Sequence, residues 1–325
     1  MRTLEEYIDL AEQAMTTIAY PSEPNGLYEP IAYGLSNGGK RLRPAILLAA
    51  CEAVGKDCLT ALNQAAAIEM YHNFTLFHDD VMDNADIRRG KPTVCAKWDN
   101  NTAILSGDTL LTMASEKVIT GIDAQKAVKL LQIFNRTAIE VYEGQQYDME
   151  FENRTDVSID EYINMIRLKT SVLLGGACRI GAELADATEE QSEALYQFAI
   201  NLGLAFQLQD DLLDVYGDPE IFGKAIGGDI MNNKKTFLLI NAMLLAKGDD
   251  AEELNYWLHN PEPLPGEKIA GVTAIYNRLG IDAICREAIE DYHKKSLYYI
   301  ENSGLSKEAV DFFMSFAESL MNRKK

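Results

Sequence analysis

Two short acidic runs constrain this chain more than any other feature: Asp79-Asp80-Val81-Met82-Asp83 and, far downstream, Asp210-Asp211-Leu212-Leu213-Asp214. Each closes an apolar stretch with helical spacing, and on a helix a four-residue interval puts the outer carboxylates on one face. Like charges so placed cost an isolated helix roughly 0.2–0.5 kcal/mol per pair. Something positive should therefore complete each cluster. Oxygen ligands with no nearby cysteine and only His78 adjoining suit a hard cation such as Mg²⁺, which takes a few carboxylates, keeps waters and binds substrate phosphates. Just after the first run, Arg88, Arg89 and Lys91 supply donors for anionic oxygens. Metal-binding acids beside fixed cations are what a diphosphate requires, because carboxylates alone would repel it. A single run of this kind is commonly a solvated helix end. Two matching copies read as two walls of one site.

Composition narrows the partners. The 325 residues carry a formal charge of −20, which argues against nucleic acid as the main partner and against tight docking on anionic lipid. Against that background the clusters Lys40-Arg41-Arg43 and Arg88-Arg89-Lys91 locally reverse a field that would repel a diphosphate. At 47% hydrophobic residues the chain can bury a large core. Five cysteines, Cys51, Cys58, Cys95, Cys178 and Cys285, show no close pair and no zinc spacing, so reduced thiols are expected. Neither a signal peptide nor a membrane-spanning run is expected, and the reading is a cytoplasmic protein.

Along the chain, helices are expected at Leu4 to Thr17, Ile31 to Leu35, Ala45 to Val54, Thr60 to Asp83, Thr102 to Thr120 and Asp123 to Glu152. Further helices are expected at Ser158 to Ala185, Thr188 to Val215, Phe237 to Leu245, Ala251 to Leu258, Pro265 to Ile300 with a break near Gly280, and Lys307 to Met321. Tyr20 to Tyr28, with two prolines and a glycine, reads as a connection, and Gly175-Gly176 as a kink or close helix contact. Thr60 to Asp83 is apolar on nearly every side, as a helix in the middle of a bundle must be. No strand alternation competes. The expected architecture is all-α, one helical bundle domain over residues 1–325 around a central apolar cavity.

The first run together with Arg88-Arg89-Gly90-Lys91-Pro92 resembles the first aspartate-rich motif of the trans-isoprenyl diphosphate synthases, and the second run resembles their second. Gly38-Gly39-Lys40-Arg41-Leu42-Arg43-Pro44, Lys169-Thr170, Gln207 and Gly223-Lys224 fall in the family's order, over nearly the whole chain. The resemblance implies head-to-tail condensation of isopentenyl diphosphate with an allylic diphosphate (dimethylallyl, geranyl or farnesyl) by ionisation, condensation and elimination. It implies about three Mg²⁺ ions at Asp79, Asp83, Asp210 and Asp214. It places the allylic diphosphate on Arg88, Lys169, Lys224 and Lys234, and isopentenyl diphosphate on Lys40, Arg43, His72 and Arg89. Oxygens of Thr170 and Gln207 face the positive carbon, and a homodimer is implied. Asn233-Lys234 stands where many members have Gly-Lys.

Product length should follow the depth of the apolar tunnel below Asp79, and helical spacing aims Phe74 and Tyr71 down the same side. An aromatic at Phe74 is associated in the family with short products, so C15 to C20 is expected. The alternatives are a longer-chain synthase, a head-to-head enzyme or terpene cyclase, and a non-catalytic subunit of a heteromeric synthase. The cyclases do not usually need the Lys40-Arg43-Arg89 pocket, and degraded triplets would be expected in a subunit. A calcium-binding helical protein fails because no twelve-residue ligand loop with its glycine is present.

Overall fold

The computed structural model describes residues 1–218 and 226–321, so Gly223 and Lys224 lie outside the described residues. The chain forms two compact units: Met1–Thr137 with Gly176–Tyr196 and Ser303–Phe312, and Ala138–Gly175 with Gln197–Asn302 and the chain from Phe313 onward.

In the first unit, α1 (Leu4–Thr16) starts on a capping box, with Thr3 Oγ1 accepting from Glu6 N–H and the Glu6 carboxylate accepting from Thr3 N–H. Tyr7, Ala11, Ala14 and Met15 share its buried stripe. Helix α2 (Asn25–Leu35) begins earlier than Ile31 and contains Pro30. Tyr20 to Pro24 is a connection as expected, but the last part of the expected segment, Asn25 to Tyr28, is helical because Pro24 sets the entry at φ −71°, Asn25 Nδ2 donates to Glu29 at 3.0 Å, and Ile31 and Leu35 bury one face. Helices α3 (Leu42–Val54) and α4 (Leu62–Met82) are the greasy centre; every residue from Pro44 to Cys51 is buried. Gly181 lies so close to the Leu47 carbonyl that a methyl group there would collide with it.

After α4 the chain makes a two-residue ladder, Ile87–Arg88 against Lys91–Pro92, in the middle of the basic run. No strand was expected there; Arg89 (φ 53°) and Gly90 (φ 74°) form the left-handed turn that closes it. The short α5 (Val94–Lys97), α6 (Asn100–Val118), capped by Asp99, and the start of α7 (Ala124–Glu152) follow.

In the second unit, α8 (Ile159–Ile166) has the expected Ser158/Glu161 capping box. The single helix expected from Ser158 to Ala185 is interrupted by a π-helical turn, Arg167–Ser171, before α9 (Val172–Leu184). The break thus falls at Lys169-Thr170 and not at Gly175-Gly176, where the second of the two expected alternatives holds: Gly176, in the first unit, makes a close helix contact as a seat for Thr137. Helix α10 (Glu189–Tyr216) carries the second triplet. Then come α11 (Gly228–Met231), α12 (Phe237–Leu245) and α13 (Asp249–His259). Helices α14 (Pro265–Leu279) and α15 (Ile281–Glu301) meet at Gly280, whose φ of 67° makes the anticipated break, and α16 (Lys307–Met321) closes the described chain.

All five cysteines are unpaired. Among the described residues no helix is long and apolar enough to cross a membrane.

Arg41, drawn by sequence into the basic cluster, turns inward. It takes a left-handed conformation (φ 48°) before α3 and is buried, with Nε on Glu12 and Nη1 on Glu69, both at 2.6 Å. Removing one partner of a buried pair leaves an unpaired charge, so Arg41→Ala should lower the unfolding free energy by about 3–5 kcal/mol. Urea denaturation measures this, and a loss under about 1 kcal/mol would show that the buried pairs with Glu12 and Glu69 do not stabilise the fold.

Candidate active site

The first triplet straddles the end of α4. Asp79 lies in the last helical turn and Asp83 caps it, its N–H bonded to the Asp79 carbonyl at 2.8 Å. Asp80 points the other way, buried, and accepts from Arg88 Nε at 2.7 Å. Burial raises the Asp80 carboxyl above its ordinary value while the Arg88 charge opposes the shift. The middle acid is thus tied into the protein and holds Arg88 by one edge. Phe74 and Tyr71 lie one and two turns back along α4, both buried, with ring centroids 5.6 Å apart. Phe74 stacks edge-on against His78 (4.7 Å), and His78 Nε2 contacts the Ile104 carbonyl at 3.1 Å. Gly107 of α6 makes room for that imidazole, since a Cβ there would run into its ring.

The basic half of the same unit is built around His72. Arg43 Nη1 meets His72 Nε2 at 3.3 Å, while Arg43 Nε is buried with no partner among the described residues. Burial, followed by the charges of Arg43 and Arg89, holds the His72 imidazole well below its usual value. It is therefore neutral, accepts from Arg43 at Nε2 and carries its proton on Nδ1. Arg43 is itself lowered by burial and by Arg89, although Glu69 opposes this. Cations held against one another with a buried donor unspent are a site for an anion. Arg89 Nη1 donates to the Gly38 carbonyl, and the Arg89 guanidinium occupies the place of any Gly39 side chain. Lys40, next in the chain to Gly39, is exposed.

In the second unit, Asp210 and Asp214 lie one turn apart on α10. Asp214 Oδ2 accepts the backbone N–H of Asp229 at 2.9 Å, which ties α11 to the triplet. Asp211, the middle acid, is again buried and turned inward; it accepts from the Tyr162 hydroxyl and from Gln207 Nε2 at 3.2 Å. Burial pushes its carboxyl up to about 7. Gln207 Oε1 in turn accepts from Thr170 Oγ1 at 3.2 Å. Thr170 sits on the π turn, where Gly144 of α7 and Gly203 of α10 approach so closely that a methyl group on Gly144 would strike the Lys169 backbone and one on Gly203 the Ser171 side chain. Lys169 Nζ is paired with Asp148 Oδ2 at 2.5 Å.

Lys234 lies 4.0 Å from Asp229, exposed. The departure at Asn233 has a local explanation: its φ is 51°, a left-handed position that suits glycine and which asparagine tolerates best among other residues. Its side chain uses the position, with Nδ2 on the Leu258 carbonyl at 3.0 Å and Oδ1 accepting from Lys268 Nζ at 2.7 Å.

Sequence reasoning named the outer acids, Arg43, His72, Arg89, Thr170 and Gln207. It missed the partners that fix them: Tyr162, Gly203, Gly107 and the Asp148 partner of Lys169 had no signal in spacing alone. Among the described residues no three His, Cys, Asp or Glu side chains converge as an all-protein metal cage. Pairs of hard carboxylate oxygens without thiolate fit Mg²⁺, which completes its shell with water and substrate oxygens.

The Polyprenyl synthetase family matches residues 24–276. A geranylgeranyl diphosphate synthase of Methanosarcina mazei is 41% identical over 244 residues, covering 74% of each chain. A short chain isoprenyl diphosphate synthase of Methanothermobacter thermautotrophicus is 34% identical over 319 residues, covering 97% of each. A crystal structure of a geranylgeranyl pyrophosphate synthase superposes with a TM-score of 0.95 at 44% identity, covering 100% of both chains. With aspartate pairs, an anion-seeking arginine cluster and this likeness along its length, the chain belongs to the polyprenyl synthetase family, a trans-prenyltransferase that makes short-chain prenyl diphosphates.

Proposed function

We propose that this enzyme condenses isopentenyl diphosphate with dimethylallyl, geranyl or farnesyl diphosphate and stops at C15 to C20, as one catalytic domain whose two triplets serve the same allylic diphosphate. The observation that carries the reading is the cluster of Arg43, Arg89 and neutral His72. A second diphosphate that does not ionise needs such a cradle, and a cyclase does not. The family match runs without interruption from 24 to 276, across both units, in keeping with one domain.

Magnesium, about three ions at Asp79, Asp83, Asp210 and Asp214, would neutralise charge on the departing diphosphate. Arg88, Lys169, Lys224 and Lys234 hold that diphosphate, and Lys169 exchanges Asp148 for it. Lys40, Arg43, His72 and Arg89 hold isopentenyl diphosphate with its double bond toward the allylic carbon. The oxygens of Thr170 and Gln207 stabilise positive charge there, and the apolar helices exclude water that would quench it. Released diphosphate removes the proton, so no protein base is assigned. Phe74 and Tyr71 form the tunnel floor; their rings pack on each other, and Tyr71 also packs on Phe134 with centroids 5.4 Å apart. Unpaired cysteines are in keeping with a cytoplasmic site. Exposed Ile104 and Leu105 on α6, with Val128 on α7, support a homodimer.

Asp79→Ala and Asp210→Ala should each reduce kcat by roughly 100-fold or more, the scale of losing a charge-stabilising group. Turnover of labelled isopentenyl diphosphate, with and without chelator, measures this, and full activity in the double variant would end the reading. Phe74→Ala should give longer products by mass spectrometry; an unchanged length removes Phe74 as the floor. Leu105→Glu should shift the sedimentation coefficient from dimer to monomer, and a wild-type enzyme that sediments as a monomer would refute the dimer.

A further inference from the structure

The two triplets share a pattern but not a chemistry at the middle acid. Asp80 is matched by a cation, Arg88, whereas Asp211 is held by two neutral donors, the Tyr162 phenol and the Gln207 amide. Tyr162 is 1% exposed on α8, and no step of the condensation uses it. Its hydroxyl is the first member of a chain that runs to the π turn: Tyr162 donates to Asp211 Oδ2, Gln207 Nε2 donates to Asp211 Oδ1, and Thr170 Oγ1 donates to Gln207 Oε1.

The order of donors is what matters. The Tyr162 hydroxyl donates to Asp211 Oδ2, and the Asp211 Oδ1 facing Gln207 accepts, so the end of the Gln207 amide that faces Asp211 is the NH₂. The carbonyl oxygen is then forced to the other side, where Thr170 lies. Rotating that amide would set its oxygen against the Asp211 carboxylate. The link also polarises the amide: donation to the buried Asp211 oxygen raises the electron density on the carbonyl oxygen.

We infer that Tyr162 is a positioning residue for the condensation. By occupying Asp211 Oδ2 it keeps the middle carboxylate turned away from its neighbours Asp210 and Asp214, and it locks the Gln207 carbonyl into the orientation that faces developing positive charge. This rests on the role proposed above for Gln207 and Thr170. The phenol touches no substrate; it acts through Asp211.

Tyr162→Phe removes one oxygen and leaves the ring packing. Loss of a hydrogen bond to a charged group should lower kcat roughly 10- to 100-fold. The KM values for the allylic diphosphate and isopentenyl diphosphate should stay within twofold, and the thermal melt should remain cooperative. Half-saturation by Mg²⁺ should shift, because Asp211 is released toward Asp210. In the double variant with Asp211→Asn, the loss should be no greater than in Asp211→Asn alone, since both act on one link. Wild-type kcat in Tyr162→Phe, a change confined to KM, or losses that multiply in the double variant would overturn the assignment. Should Tyr162→Phe fail to fold, Gln207→Leu provides the second arm: adding Asp211→Asn, which removes the group Tyr162 acts through, should cost nothing further in kcat, and a further loss would again overturn the role. Failure of the wild-type enzyme to elongate any allylic diphosphate would instead sink the proposed function and is read separately.

Discussion

A carboxylate at the end of a buried helix needs partners that take its charge, and the rest of this molecule follows from how that need is met. In each triplet the middle acid is withdrawn from solvent and satisfied by the protein, Asp80 by Arg88 and Asp211 by Tyr162 and Gln207. The outer acids are thereby left as pairs, one turn apart, with hard oxygen donors and no third protein ligand among the described residues. A pair of this kind suits a cation that brings water and takes substrate oxygens. Burying one acid of three therefore shapes the chemistry of the other two.

The cations are divided in the same manner. Arg41 lies within the basic run yet is consumed by Glu12 and Glu69, and it braces the turn that precedes α3. Arg43 and Arg89 keep their charge against a neutral imidazole, and Arg43 Nε is left buried without a partner among the described residues. In a chain with a net charge of −20 such a cradle is a strong local reversal of field. Glycine positions serve the same end: Gly39 admits the Arg89 guanidinium, Gly107 admits His78, and Gly144 and Gly203 close on the π turn. Each is a place where a backbone must come nearer than a side chain allows.

Much of the fold was legible because its signals are local. Capping residues at Ser158, Pro265 at a helix start and Gly280 at a helix end fix those boundaries through backbone geometry alone. The π turn was not legible, since it arises where α7 and α10 press on Arg167–Ser171 and no propensity encodes it. The early start of α2 was masked by Pro21, Pro24 and Gly26, which read as a connection until the burial of Ile31 and Leu35 is counted. The ladder at Ile87–Pro92 was too short to show alternation.

Taken alone, the residues pointed to hard cations and a bound diphosphate, through two aspartate pairs and two basic runs; the class of reaction came with the family resemblance those motifs carry, and an all-helical chain followed from period and composition. Only the tertiary structure decided which member of each charged run points inward. A side chain's direction on a helix is known from its spacing, but its partner comes from another element: Glu69 for Arg41, Tyr162 for Asp211, Asp148 for Lys169. Such pairings depend on which helices come to lie side by side, and long-range packing, unlike capping or periodicity, leaves no mark in a single stretch of sequence.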